Sequence, residues 1–179
     1  EAKLFKAIGM ARASCTYEAL MAEPNKAYPH NQTGMGWLST DISDKYYQTA
    51  AAGGVNASAA DMAQWLLLLL GKRPRVLTNE QLAPVFQPRV RTYDERRHFG
   101  EWAKPKTAYY GLGWRILVQG TDTLAYHGGY VNGYRGEIAL DRRRGIGICV
   151  LFNAASPLAP RSIPAFFERY RRLFGDELI

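Results

Sequence analysis

The sequence is poor in the residues that make metal and redox centres. Its 179 residues include two cysteines, Cys15 and Cys149, and three widely separated histidines, His30, His98 and His127. There is no Cys-x-x-Cys and no His-Glu-x-x-His, so the donor spacing of a metal site is missing, and neither a metal nor a cofactor is expected. Two cysteines decide nothing about redox compartment. Cys149, inside an apolar run, reads as a small buried hydrophobe. Long apolar stretches are also lacking. The longest, "WLLLLLG" from Trp65 to Gly71, falls far short of the roughly 20 residues that cross a bilayer, so no transmembrane segment is expected in this chain. None of the six serines lies in Gly-x-Ser-x-Gly, and none has a lysine three residues on. A nucleophile elbow on an alternating βα pattern is thereby excluded. Internal repeats and low-complexity tracts are absent too.

What is present belongs to a packed globular domain. The apolar fraction is 47%, with four Trp, eleven Tyr and seven Phe. The formal net charge is +7, much of it in Arg89, Arg91, Arg96, Arg97, Arg142 to Arg144, Arg169, Arg171 and Arg172. These positions read as turns and helix faces. They lack the interleaved aromatics that stack on bases, so nucleic acid is not an expected partner. A small anionic substrate suits the charge as well.

The local patterns predict an α+β fold. Residues 1 to 50 read as irregular, broken by Pro24, Pro29, Gly34 and Gly36. In "AAAGGVNASAADMAQWLLLLLG", Ser58 with Asp61 three residues on resembles a capping box, and Gly71 is a natural stop, which predicts a helix from Ser58 to Leu70. Thr78 with Gln81 caps a second short helix. Residues 87 to 108 read as a polar connection. Strands follow at Tyr110 to Val118, Thr123 to His127, Tyr134 to Leu140 and Ile146 to Phe152, joined by short turns that suit antiparallel pairing. A helix from Ile163 to Phe174 carries Ile163, Phe166, Phe167, Tyr170, Leu173 and Phe174 on one stripe, which must bury against that sheet. The expected organisation is one domain, helical or irregular over 1–108, with antiparallel sheet and a carboxy-terminal helix over 109–179.

The stretch "YHGGYVNGYRGEIALDRRRGIGICVLFN", Tyr126 to Asn153, holds the least ordinary chemistry. Glycine weakens a strand unless another backbone or a ligand must come close. Two glycines beside His127 therefore suggest a docking point, although a strand-edge histidine next to a turn is the plainer alternative.

In order along the chain, "LFKAIGM", "AAAGGVNASAADMAQWLLLLLG", "YGLGWRI", "HGGYVNGYRGEIAL" and "GIGICVLFN" resemble the carboxy-terminal half of the class C β-lactamase family. That family also includes low-molecular-weight penicillin-binding proteins, D-aminopeptidases and related esterases. The resemblance covers nearly all 179 residues. It implies acyl transfer by a serine in Ser-x-x-Lys, assisted by Tyr-x-Asn, with a third motif on a strand edging the site. His127-Gly128-Gly129 matches that third motif, which is Lys-Thr-Gly in β-lactamases and begins with His in many relatives. The match implies that His127 faces the site and that Gly128, Gly129 and Asn132 contact substrate. It also implies that the Tyr130 N–H is one of two oxyanion donors.

Arg161, eight residues past Asn153, matches an arginine that helps bind a substrate carboxylate, with Leu158 where a polar companion is usual. A solvated arginine at a helix start is the equal alternative. The first two motifs would lie upstream of "LFKAIGM". The opening ten residues read as a helix end already in progress, so the chain is expected to be the carboxy-terminal part of a longer protein. Its expected partners are a small-molecule substrate (β-lactam, peptide or ester) and the amino-terminal remainder of the fold. The resemblance places it in the periplasm or on a membrane exterior. Losing the lysine cation and the threonine hydroxyl weakens carboxylate binding and raises the esterase and peptidase readings over β-lactamase. A ligand-binding member that keeps the fold without the chemistry is the second hypothesis.

Overall fold

A computed structural model describes residues 1, 3–93, 102, 107–119 and 122–174. The architecture is α+β, and its centre is a six-stranded antiparallel sheet. Along the sheet lie β3 (Val90–Thr92), β4 (Thr107–Tyr110), β5 (Arg115–Gln119), β6 (Asp122–Val131), β7 (Tyr134–Asp141) and β8 (Ile146–Phe152), each beside its sequence neighbours. A separate hairpin precedes it, β1 (His30–Thr33) with β2 (Gly36–Ser39). Among the described residues the α-helices are α1 (Phe5–Ile8), α2 (Tyr17–Ala22), α3 (Ala50–Gly53), α4 (Ala59–Leu69), α5 (Asn79–Leu82) and α6 (Ala159–Phe174), with 3-10 helices at Lys45–Thr49 and Ala83–Phe86.

Helix α4 forms where its caps dictate. The Ser58 hydroxyl accepts from the Asp61 N–H at 3.2 Å, and Asp61 Oδ2 accepts from the Ser58 N–H at 2.9 Å. At the other end Gly71 takes φ 75°, while the N–H groups of Gly71 and Lys72 reach the carbonyls of Leu68 and Leu67. That pairing is a Schellman stop, which needs the left-handed residue. The guanidinium of Arg142 adds to it, donating from Nε to the Leu69 carbonyl at 3.0 Å while stacking over Phe86. Thr78 and Gln81 close the same kind of capping box on α5.

The sheet is covered on both faces. On one, Ile163 and Phe167 of α6 pack against Leu117, Leu124, Tyr126 and Ala139. On the other, Leu69 of α4 and Leu82 of α5 pack against Trp114, Ile116, Ala125, Ile138 and Leu140. The period-two alternation of strand side chains sorts these two sets. Cys149 is half-buried against the second cluster, and burial, with the Glu137 charge adding, pushes its thiol up to about 11. Such a thiol is unreactive.

Four expectations need correction. The region read as irregular over 1–50 holds the β1–β2 hairpin, two short α-helices and a 3-10 helix at Lys45–Thr49. The strand expected over Tyr110 to Val118 is two strands, because Gly111 and Gly113 let the chain turn back; the Gly111 N–H donates to the Trp114 carbonyl at 2.7 Å and Gly113 takes φ 81°. The sheet accordingly starts before residue 109, with β3 inside the polar connection. Finally, α6 begins at Ala159, since Pro160 lies in the first turn where a missing N–H costs nothing, and the helix runs on through Pro164. Its stripe is buried only in part: Leu173 and Phe174 are exposed, in a last turn that extends past the packed cluster.

Candidate active site

Strand β6 does not stop at His127, as its glycines suggested. It continues to Val131, with His127 opposite Ile138, Gly129 opposite Gly136 and Val131 opposite Tyr134 of β7. The loop joining the two strands is Asn132–Gly133, with φ 41° and 85°, the type I′ turn whose twist matches the strands. In such a hairpin the flanking pair exchanges both hydrogen bonds, and bonded pairs alternate from there. Counting back from Val131, the main-chain groups of Gly129 and His127 bond to β7, and those of Tyr130 and Gly128 point the other way. On that other side β5 ends at Arg115, opposite Tyr126. The N–H and C=O of Gly128 and Tyr130 therefore lie on an edge with no strand beside it among the described residues.

The side chains alternate across the sheet as well. His127, Gly129 and Val131 lie on the α4 face. The His127 ring is half-buried, 6.3 Å from the Trp114 ring in an edge arrangement, and its Nδ1 is 2.6 Å from the Gly113 carbonyl oxygen. A Cβ on Gly129 would meet nothing within 4 Å. Beyond it, Val131 lies against Gly53 and Tyr46, since a Cβ on Gly53 would be 3.1 Å from an atom of each. Along this face Gly129 leaves open space between His127, which stands beside Trp114, and Val131, which stands beside Tyr46.

Gly128 works on the opposite face. A Cβ there would stand 2.4 Å from the Tyr126 hydroxyl and 2.8 Å from Glu137 Oε2. Its lack of a side chain thus accommodates a buried bond of this protein, while its main chain remains on the open edge. Glu137 has no exposed surface and also accepts from Arg135 Nε at 2.6 Å. Burial first, and the Glu137 carboxylate second, drive the Tyr126 phenol far above its ordinary pKa.

The remaining expected residues are placed differently. Asn132 supplies the left-handed backbone of the β6–β7 turn, about 16 Å along the strand from His127 at the usual rise per residue. Tyr130 has its ring half-exposed on the α6 side and its N–H on the open edge. Arg161 is exposed in the first turn of α6, the helix covering the face opposite His127. The strand before that helix, β8, ends toward the β6–β7 hairpin, because Phe152 pairs with Arg135 and Arg135 with Tyr130. The carbonyl of Gly113 is a contact the residue patterns did not reveal as part of the site. Its signal was the Gly-Leu-Gly in "YGLGW", two glycines where a straight strand wants none.

Among the described residues no group of His, Cys, Asp and Glu could hold a metal ion, and no helix is long and apolar enough to cross a membrane. Comparison with curated proteins finds no match. The solved structure of the octameric penicillin-binding protein homologue from Pyrococcus abyssi is similar, with TM-score 0.74 and 20% identity. The alignment covers 96% of this chain and 36% of that one, so this chain spans about a third of that neighbour's length. The family model described as Beta-lactamase matches residues 1–169. With the antiparallel sheet, its carboxy-terminal helix and a sequence match over nearly the whole chain in agreement, the chain belongs to the beta-lactamase family.

Proposed function

We propose that this chain is the carboxy-terminal part of a serine hydrolase acting by acyl transfer on β-lactam, peptide or ester substrates, with the nucleophilic Ser-x-x-Lys supplied upstream. The observation that carries the reading is the open edge of β6 at Gly128 and Tyr130, beside His127 and the unobstructed Gly129. An acyl group lying along that edge meets the Tyr130 N–H as a preorganised donor for the developing oxyanion. One such donor contributes about two to three powers of ten in rate. Arg161, exposed in the first turn of the helix that follows β8, serves as a carboxylate contact for the parts of a substrate that reach past the strand edge.

The test uses the complete protein, with p-nitrophenyl acetate and nitrocefin as substrates and a fluorophosphonate as serine probe. Hydrolysis of either, with a mass adduct on the serine of Ser-x-x-Lys, is the expected result. Saturable binding with neither turnover nor adduct would instead establish a ligand-binding member of the family.

A further inference from the structure

We infer that the Gly111–Trp114 turn selects the tautomer of His127, so that the histidine presents a hydrogen-bond acceptor to the site and makes no contact with a substrate carboxylate. The inference rests on the hydrolase reading for its consequence and on geometry for its cause. A carbonyl oxygen can only accept. At 2.6 Å from the Gly113 carbonyl, Nδ1 of His127 must therefore carry the hydrogen. In the neutral ring Nε2 is then a bare lone pair, since fixing one nitrogen decides the other.

Three features hold the arrangement. The Gly113 carbonyl is aimed by a left-handed residue, φ 81°, within a turn closed by the Gly111 N–H on the Trp114 carbonyl. Trp114 is itself buried, 8% exposed, and its ring sets the edge against which the imidazole stands. His127 is held at its other end by pairing with Ile138. No other hydrogen bond to the ring occurs among the described residues. Gly129, next on the same face, leaves the space beside it open.

The chemical consequence is a choice of substrate. A lysine at this position offers a permanent cation, and a carboxylate answers it. An imidazole with its donor occupied offers a lone pair, which repels a carboxylate and accepts from a hydroxyl or amide hydrogen. The substrates this position favours are peptides or esters with an N–H or O–H there, rather than carboxylate-bearing β-lactams. Gly113 is a positioning residue, acting through the imidazole.

The tautomer is read from nitrogen-15 shifts of the His127 ring in the complete protein, at a pH where the ring is neutral, with assignment by His127→Gln. The expected signature is a protonated Nδ1 and an unprotonated Nε2; the opposite tautomer, or the averaged pattern of a free histidine, overturns the inference. A Cβ at position 113 meets nothing within 4 Å, so substitutions there act through backbone conformation alone. Gly113→Val, which resists the left-handed region, should lose the signature, and Gly113→Asn, which tolerates it, should keep it. Retention in Gly113→Val would remove the turn from the account. His127→Gln places an acceptor near the Nε2 position and should keep about a tenth of the activity, whereas His127→Asn should fall as far as His127→Ala, about a hundredfold or more. His127→Lys should tighten benzylpenicillin about tenfold or more. Equal behaviour of Gln and Asn, or unchanged affinity in Lys, counts against it. An inactive complete protein would sink the hydrolase reading and leave the tautomer measurement intact.

Discussion

The hydroxyl of Tyr126 donates to Glu137 Oε2 at 2.5 Å, directly over the place a side chain at position 128 would occupy. Tyr126 is 2% exposed and Glu137 is fully buried beneath α6, so strand β6 carries a polar anchor on one face and the candidate site on the other.

Gly128→Ala should therefore destabilise by about 1–3 kcal/mol, because the new methyl must displace a buried hydrogen bond. Tyr126→Phe removes the oxygen in the way. In a double-mutant cycle read by chemical denaturation, the pair should cost less than the sum of the two singles. Strict additivity would show that the methyl is accommodated elsewhere.

Glu137→Ala leaves Arg135 and Tyr126 without their shared acceptor. Removing one member of a buried pair costs about 3–5 kcal/mol, and the partial exposure of Arg135, 31%, points to the lower end. Glu137→Gln keeps an acceptor and should cost clearly less. Thermal melts of the two variants side by side make the comparison, and equal losses would assign the effect to volume alone.

Alkaline pH should weaken the region where the hairpin tip docks. Tyr134 donates to the Ala27 carbonyl at 2.7 Å, and its phenol is pushed up to about 12 by burial, with Tyr47 and Tyr28 adding. The unfolded phenol ionises near 10. Unfolded chains thus lose the proton first, so this contribution is complete below pH 10 and is lost as the pH rises toward 12. Tyr134→Phe should flatten that decline in a denaturation series from pH 9 to 12; an unchanged slope would place the alkaline sensitivity elsewhere.

Acid pH acts on Asp61. Burial opposes its ionisation, but hydrogen bonds from the Ser58 backbone and hydroxyl and from the Arg12 N–H, with the Arg12 charge, hold its pKa below the usual carboxylate range. A lowered folded value means stability present above about pH 4 and lost as the pH falls through it. Asp61→Asn should be less stable than the parent at neutral pH, with the gap narrowing below about pH 4. Ser58→Ala, which removes one cap, should cost about 1 kcal/mol at neutral pH. A constant gap across pH would show that Asp61 acts by shape and not by charge.

The elements legible in the sequence are those written in local chemistry. Ser58, Asp61 and Gly71 bound α4 because a cap satisfies backbone groups within one turn, and Ile146 to Phe152 is a strand by composition alone. His127 and its glycines stood out because glycine has no local reason to sit in a strand. What only the tertiary structure decided is which neighbour each of those residues answers to. Gly128 and Gly129 are chemically identical and adjacent, yet alternation sends one toward Tyr126 and Glu137 and the other toward open space. The open edge at Tyr130 exists because β5 ends at Arg115, a matter of pairing length between separate strands. The Gly113 carbonyl reaches His127 from 14 positions away, through a turn that residue patterns read as continuous strand. Local sequence encodes what a segment does with its own backbone; register and packing between segments decide which groups meet, because those contacts are made only when the sheet closes.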